Sequence, residues 1–518
     1  MPYNEKMKEF NKKKKELAID KSLAKKQHGK GKLTAGERIK LLLDDGSFVE
    51  MDEFVELKSH DFDLQQKKKA RDGIITGYGT VNKRPVCVYA QDFTFMGGSM
   101  GEMHNKKIAK AMDLALKTGC PLIGLFDSGG ARIQEGINGL DGGGSIFKMN
   151  TYCSGVIPQI SAVLGPCAGI AVYSPALTDF VFMVDKTSYM FITGPDVVES
   201  VTGEKVDFIG LGGANIHNKK SGVAHFFANN DKECILKIKK LLTYLPQNNL
   251  DSSPLINTGD GADRLNTSLK DIVPLEPKKS YDVKDVLNEV FDKDSFFEVH
   301  AEYAQNCVVG FARLNNITVG IVANQPKILA GCLDINSSDK ISRFVRFCDS
   351  FNIPLINLVD VTGYLPGTDQ EYNGVIRHGA KILYAYSEAT VPKLSLVMRK
   401  AYGGAYIALV SKDMGYDYVM AWPMAEIAVM GADQAVNIIH KKEKGSKKWD
   451  KIKKEKIKEF SETFLNPYLA AKEGKIDKII EPKETRLQLI NALEMLLTKR
   501  DFAKNKKIMP RKHGNIPL

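Results

Sequence analysis

Short apolar runs recur along the chain, each bounded by Gly, Pro, Asn or Asp. Val86–Ala90, Leu122–Phe126, Ile160–Leu164 and Leu394–Met398 predict buried strands, because such runs lack the polar alternation of a half-exposed strand. Lys106–Lys117 has helical spacing, and Ile407–Lys412 can start another helix. The alternation of the two element types is that of an α/β sheet. Ahead of them, residues 5–27 predict a charged helical arm and Gly29-Lys30-Gly31 a turn. Thr34 then caps a helix, with Glu37 at the capping-box spacing. Residues 159–184 are apolar enough to suggest a membrane span. Gly165-Pro166, Gly169, Pro175 and Asp179 interrupt them, so a buried strand, turn and helix are predicted instead.

The second half of the chain repeats the first. Gly77-Tyr78-Gly79-Thr80-Val81-Asn82 answers to Gly310-Phe311-Ala312-Arg313-Leu314-Asn315 at an offset of 233 residues. Pro121–Asp127 answers to Pro354–Asp360, and Gly98 to Gly331, at the same offset. Further on the spacing drifts, with Gly169 answering to Gly404 at 235 and Gly194 to Gly431 at 237. A constant offset followed by small insertions marks a duplicated domain. The linker lies near residues 246–280, where Pro, Asn, Asp and Gly cluster in Pro246–Asp263.

Candidate chemistry centres on Arg399-Lys400-Ala401-Tyr402-Gly403-Gly404-Ala405-Tyr406, at a predicted strand-to-helix junction. Adjacent small residues there expose backbone N–H groups, and the helix dipole adds positive potential. The stretch has no obvious nucleophile or metal ligand, so it suits stabilisation of negative charge developing on oxygen. A tight turn needing glycine for packing is the alternative. Gly169-Ile170 offers an equivalent pair in the first half. Each half also has a glycine-rich loop after the preceding strand, Asp127–Arg132 and Asp360–Gly367. Two anion pockets suit a reaction in which charge passes between two carbonyl compounds.

Composition narrows the classes. The 518 residues suffice for two sizeable cores. The net charge of +11 is unevenly spread: residues 1–32, 441–458 and 499–512 together carry +20, which leaves −9 for the remainder. Charge confined to arms and solvated helices, without a recognised module, argues against nucleic-acid binding. The Lys-rich stretch 441–458 is either a solvated helix or a dock for a partner. Eight cysteines without C-x-x-C spacing fit reduced thiols in a cytoplasmic protein, and the N-terminus has no signal-peptide pattern. The nine histidines show no metal-ligand spacing, so no metal is predicted, and His378 is expected to be structural. Gly97-Gly98-Ser99-Met100-Gly101 matches the nucleophile elbow of serine hydrolases. Its repeat counterpart places Cys332 at the serine position, with no acid–histidine pair indicated. Asp127 and Asp360, at strand ends, are candidate bases, although caps are the commoner fate of such residues.

Longer motifs identify a family. They are Asp127–Gly136, Gly165-Pro166-Cys167-Ala168-Gly169, Thr193-Gly194-Pro195-Asp196, Asn324-Gln325-Pro326, Gly331-Cys332-Leu333-Asp334, Arg399–Tyr406 and the tail His513–Leu518. Nearly end to end, the chain resembles the carboxyltransferase (β) subunits of biotin-dependent acyl-CoA carboxylases, particularly the propionyl-CoA type. It resembles equally the α subunits of methylmalonyl-CoA decarboxylases. The resemblance implies a duplicated crotonase-like ββα superhelix, with N- and C-terminal carboxyltransferase domains over residues 1–258 and 264–500. It implies a homo-hexamer, a dimer of trimers, with each active site between the first domain of one chain and the second of another. In the mechanism the resemblance implies, carboxybiotin on a separate carrier loses CO2, the biotin enolate takes the acyl-CoA α-proton, and the thioester enolate attacks CO2.

By resemblance, the amides of Gly404 and Ala405 hold the biotin oxyanion, and those of Gly169 and Ile170 the thioester oxyanion. Removing one such donor in other enzymes costs roughly 3–4 kcal/mol, so two pairs supply much of the barrier reduction. The implied substrate-binding residues are Gly129, Gly130, Ala131, Arg132 and Gly194 in the first half. In the second they are Gly331, Cys332, Gly363, Tyr364 and Ile407. Two positions depart from the pattern. Ile170 stands where many members carry Gly, which changes a pocket wall, and Ile407 stands where propionyl-CoA carboxylases commonly carry an acid. No A-M-K-M biotin-attachment motif is present, so the partners implied are a biotin carrier and either a biotin carboxylase subunit or a membrane decarboxylase subunit. A crotonase-type hydratase, which needs paired carboxylates, and a binding-only scaffold are the readings from other classes.

Overall fold

The computed structural model describes residues 3–17, 21–59, 62–276, 279–444, 446, 448–499 and 511–517. Parts of all three predicted basic segments, residues 1–2, 18–20, 445, 447 and 500–510, lie outside the described residues. The chain divides into two compact units. Met1–Asp251 with Met509–Pro517 form the first, and Ser252–Ile508 form most of the second.

Unit 1 is built on strands β1 (Val49–Met51), β2 (Ile74–Val81), β3 (Arg84–Gln91), β4 (Leu122–Ser128), β5 (Gln159–Ala168), β6 (Phe180–Val184), β7 (Tyr189–Phe191) and β8 (Phe226–Ala228). The sheet order is β1-β2-β3-β4-β5-β6-β8, with β7 beside the end of β5. β1, β2 and β3 pair antiparallel, and the strands from β3 onward pair parallel. Every residue of β4 is buried, as expected of a parallel strand covered on both faces. Tyr89, Ile108, Met112, Phe126, Val163 and Met183 lie in its core.

Unit 2 repeats this plan with β9 (Phe297–Val299), β10 (Cys307–Leu314), β11 (Ile317–Asn324), β12 (Leu355–Val361), β13 (Lys393–Tyr402), β14 (Tyr418–Ala421), β15 (Glu426–Ala428) and β16 (Lys478–Ile479). Its order is β9-β10-β11-β12-β13-β14-β16, with β15 beside β13. Trp422 anchors its core, among Val308, Ile321, Ile356 and Leu394, and donates Nε1–H to Thr485 Oγ1 at 3.0 Å.

The sequence repeat is preserved at the level of register. Gly77 faces Val88 across β2 and β3, and Gly310 faces Ile321 across β10 and β11, both shifted by 233. The irregularity between Phe126 and Ser128 recurs between Val359 and Val361 at the same shift. Even the hairpin turns match: Asn82-Lys83 and Asn315-Asn316 all take positive φ, the geometry a two-residue primed turn demands. The capping box at Thr34 and Glu37 forms as predicted. Residues 159–184 form β5, short helical turns and β6. Among the described residues no helix is long and apolar enough to cross a membrane.

The chain's last residues return to unit 1. The Arg511 guanidinium donates to the carbonyls of Thr151 and Ser154, at the end of the helix Ile137–Cys153. Asn515 is buried, donating its backbone N–H to Ser154 Oγ at 2.8 Å and its side-chain amide to Asp179 Oδ1 at 3.0 Å. Gly155 is obligatory here, because a Cβ at that position would lie 2.1 Å from the His513 carbonyl oxygen. The tail thus satisfies carbonyls that a helix end leaves open. Asn515→Ala is expected to destabilise unit 1 by about 1–3 kcal/mol, since Asp179 and Ser154 each lose a buried partner or its orientation. Thermal unfolding followed by hydrogen exchange over residues 150–180 checks this, and unchanged protection there would remove the tail from the stability of the unit.

Candidate active site

Both candidate donor turns lie at the carboxyl end of a central parallel strand, where β5 and β13 run into helical turns. β5 ends at Ala168, and Gly169–Val172 continues as a 3₁₀ turn. β13 ends at Tyr402, and Gly403–Leu409 continues as an α-helix. This helix begins four residues earlier than the Ile407 start predicted from sequence, because burial of Ala405, Ala408 and Leu409 overrides the poor helix propensity of the glycines. Gly403, Gly404 and Ala405 are therefore its first three residues. Their N–H groups have no intrahelical acceptor, and the N-cap residue Tyr402 makes no side-chain cap to them. The turn after β5 likewise lacks a side-chain cap.

The two junctions align one residue differently from the sequence reading. Ala168 pairs with Phe191 on β7, and Tyr402 pairs with Ala428 on β15. The next residues, Gly169 and Gly403, both take φ +57°. The structural offset is therefore 234, which corrects the predicted match of Gly169 with Gly404. Left-handed backbone at this point turns the chain from strand to helix, and only glycine adopts it without strain. Gly404 then corresponds to Ile170, and Ala405 to Ala171. The two expected donor pairs stand one residue out of step within equivalent turns. Gly194 and Gly431 do match at 237, each at the N-cap of a helix.

In unit 1 the loop after β4 is laced to the segment after β3. Gly129 N donates to Gly97 O at 2.9 Å, Met100 N to Gly130 O at 2.8 Å, and Arg132 N to Met100 O at 2.9 Å. A Cβ on Gly130 would sit 2.8 Å from Ala168 O, so Gly129, Gly130 and Ala131 lie against the Gly169 turn. Gly194 belongs to the neighbouring loop, whose Ile192 carbonyl lies 3.9 Å from a Cβ placed on Gly169. Arg132 is a different case. Its guanidinium is fully buried, bonded to Asp72 Oδ1 at 2.6 Å, Glu135 Oε1 at 2.7 Å and Ser99 O at 2.8 Å. With those partners it holds the loop, and its charge is already compensated. Ser99 accepts from Arg132 Nε, which leaves the serine-elbow motif as part of this lacing.

In unit 2 the same lacing joins Leu333 to the loop after β12. Leu333 N donates to Gly363 O at 3.0 Å and Leu365 N to Leu333 O at 2.7 Å, at the repeat positions of the unit 1 bonds. Cys332 Sγ lies 3.0 Å from Thr362 Oγ1. The Tyr364 ring backs the donor turn, with Cε2 3.7 Å from a Cβ placed on Gly404. Gly331, Cys332, Gly363, Tyr364 and Gly404 are thus gathered together. Ile407 stands on the exposed face of the helix, just beyond the donor turn.

The strand-end aspartates are structural. Asp127 is buried and bonded to Lys32 at 2.7 Å and Arg38 at 2.8 Å, with Arg38 shared by Asp231. Burial holds the Lys32 ammonium below the usual lysine range, against the pull of Asp127. Asp360 pairs with Arg399 at 2.9 Å, and burial still raises its carboxyl. Sequence reasoning missed Lys32, Arg38, Asp72 and Asp231, because nothing in local pattern announces ion pairs across such separations. Ile170 packs against a neighbouring helix. Its side chain turns into a groove on the helix Ile137–Cys153, where a Cβ on Gly143 would lie 2.3 Å from its Cδ1. His378 is paired with Asp339 at 2.8 Å. Among the described residues, no group of three or more His, Cys, Asp or Glu side chains is placed to hold a metal.

The chain as a whole is similar to known proteins. Residues 26–516 match the family model of the carboxyl transferase domain. The α subunit of methylmalonyl-CoA decarboxylase from Veillonella parvula is 55% identical over 493 residues, covering 95% of this chain and 94% of its own. The carboxyltransferase subunit of propionyl-CoA carboxylase from Haloferax mediterranei is also 55% identical, covering 95% of each chain. The transcarboxylase 12S crystal structure, a hexamer assembly with methylmalonyl-coenzyme A and methylmalonic acid bound, superposes with a TM-score of 0.94 at 50% identity. It covers 99% of this chain and 98% of that one. The chain belongs to the carboxyl transferase domain family, and its two units form a duplicated crotonase-like fold.

Proposed function

We propose that this chain is a carboxyltransferase subunit, moving a carboxyl group between carboxybiotin on a separate carrier and a short-chain acyl-CoA. Propionyl-CoA and methylmalonyl-CoA are the proposed acyl pair, supported by the names of the relatives and the ligand of the transcarboxylase structure. The observation that carries the reading is the pair of uncapped donor turns, Gly169–Ala171 and Gly403–Ala405, one in each unit. Residues 1–258 and 264–500 would be the two functional domains, and the protein would act in the cytoplasm as a homo-hexamer. Its partners would be a biotin carrier with a biotin carboxylase subunit, or a membrane decarboxylase subunit. The same two turns serve either direction of transfer.

In this reading the chain contributes electrostatics and position rather than a protein acid or base. The amides of Gly169 and Ile170 would donate to the thioester oxygen as negative charge develops on it. Those of Gly404 and Ala405 would donate to the oxygen of the biotin ring, with the Tyr364 ring as the wall behind them. The fit rests on donors that face no competing cap and on a flat apolar surface beside them. Carboxybiotin supplies the carboxyl group. Gly129, Gly130, Ala131 and Gly194 would shape the acyl-CoA side, and Gly331, Cys332, Gly363 and Ile407 the other. Arg132 would act through the loop it holds.

Two predictions follow from the donors. With free biotin and methylmalonyl-CoA, the purified protein should release propionyl-CoA in a biotin-dependent reaction. Ala405→Pro removes one N–H in a helical turn that tolerates proline, and should lower turnover about 10²–10³-fold. Faster turnover of malonyl-CoA would keep the chemistry and move the substrate, whereas release independent of biotin would defeat the carboxyltransferase reading. Separately, Gly143→Ala should push Ile170 off its groove and displace its N–H, raising KM for acyl-CoA roughly tenfold, the effect of about 1.4 kcal/mol. Adding Ile170→Gly removes the clash and should restore it. A double variant as poor as Gly143→Ala alone would show that the groove does not set the donor.

A further inference from the structure

We propose that two buried lysines, Lys107 and Lys340, are positioning residues whose ammonium groups serve as built-in cations, each fixing the turn that holds a glycine loop of its pocket. The inference rests on the site reading above for its kinetic readout only. Lys340 is 2% exposed and donates to four backbone carbonyls: Tyr303 and Cys307 at 2.7 Å, His300 at 2.9 Å and Ala304 at 3.3 Å. Lys107, also 2% exposed, donates to Ile74 O at 2.7 Å and Arg71 O at 3.1 Å. All three positions are repeat equivalents at the offset of 233, with Lys107 matching Lys340, Arg71 matching Ala304 and Ile74 matching Cys307.

A buried ammonium facing carbonyl dipoles is an unusual way to compensate charge, since a carboxylate gives a stronger partner. Carbonyls do something a carboxylate does not: they let one cation gather several turns of backbone, as they gather a bound metal ion. Both turns need such help, because they contain left-handed residues that are not glycine. His300 and Ala304 have φ +55° and +44°, and Arg71 and Asp72 have φ +77° and +48°. Each such residue costs on the order of 1 kcal/mol or more and persists only when its surroundings hold it.

What the turns hold is the pocket. Asn306, inside the Lys340 cage, donates its side-chain amide to Cys332 O at 2.8 Å and Asp334 Oδ1 at 3.0 Å. Cys332 contacts Thr362, and Leu333 pairs with the loop that carries Gly363 and Tyr364. In unit 1 the turn carries Asp72, which binds the Arg132 guanidinium and the His104 N–H at 2.9 Å. The chemistry of the link differs, amide in one unit and ion pair in the other, while the lysine is the same.

The test compares Lys340→Met with Asn306→Ala, which leaves the cage intact and cuts its link to Cys332. Hydrogen exchange over residues 331–334 and 362–365 should rise at least tenfold in both variants, while β10 to β13 stay protected. KM for free biotin should rise about tenfold with kcat changed less than threefold, and the double variant should add no more than twofold. The exchange readout is independent of which reaction the protein catalyses, so its failure is distinct from failure of the functional reading. If Asn306→Ala leaves both exchange and KM unchanged, the positioning role is overturned. Exchange rising uniformly through unit 2 in Lys340→Met would also overturn it, reducing the lysine to general stability. Should Lys340→Met not fold, Lys340→Gln, which keeps an amide donor and removes the charge, takes its place and is read in the same way.

Discussion

A left-handed glycine at the end of a central parallel strand is the constraint on which the rest of the molecule depends. Gly169 and Gly403 turn the chain from strand to helix at once, so that the first N–H groups of each helical turn, which have no intrahelical acceptor, come directly at the carboxyl end of the strand. Any side chain on these residues would strain the turn. Uncapped donors at a helix start are held by the fold before any ligand arrives, so they need no reorganisation when charge develops on a bound oxygen. The loops after β4 and β12, the lysine-pinned turns and the strand-end ion pairs all serve to keep these two turns in place.

Duplication supplied the plan twice, and the halves then diverged in how they hold it. Unit 1 fixes its glycine loop with Arg132, Asp72 and Glu135, whereas unit 2 has Leu365 at the corresponding position and relies on Asn306 and Cys332. Beside the donor turn, unit 1 stacks Tyr189 on Phe191, while unit 2 has the Tyr402 hydroxyl donating to Glu426. Apolar stacking on one side and a hydrogen-bonded acid on the other give the two turns different surroundings, in keeping with the proposal that they receive different oxygens.

Much of this was legible in the sequence. Apolar runs placed β3, β4, β5 and β13, and the offset of 233 carried over into the register of β2, β3 and β4, while the match predicted at Gly169 moved by one residue. What sequence could not show was what distance along the chain conceals. Asp127 meets Lys32 and Arg38, and Asn515 returns to Asp179, through contacts that no local pattern encodes. Arg132 entered as a binding residue through the family resemblance alone, and its pairing with Asp72, far away in sequence, is another contact that no local pattern encodes. The start of the helix at Gly403 was hidden because glycine is a poor helix former and only burial of Ala405, Ala408 and Leu409 fixes the boundary.

The central claim is that each donor turn serves one of two substrates. The most direct measurement is calorimetric binding of an acyl-CoA and of free biotin to the Ile170→Pro and Ala405→Pro proteins. The account predicts a crossed pattern, with Ile170→Pro weakening acyl-CoA and sparing biotin, and Ala405→Pro doing the reverse. If both variants weaken the same ligand, the two turns do not divide the substrates between them, and the account fails.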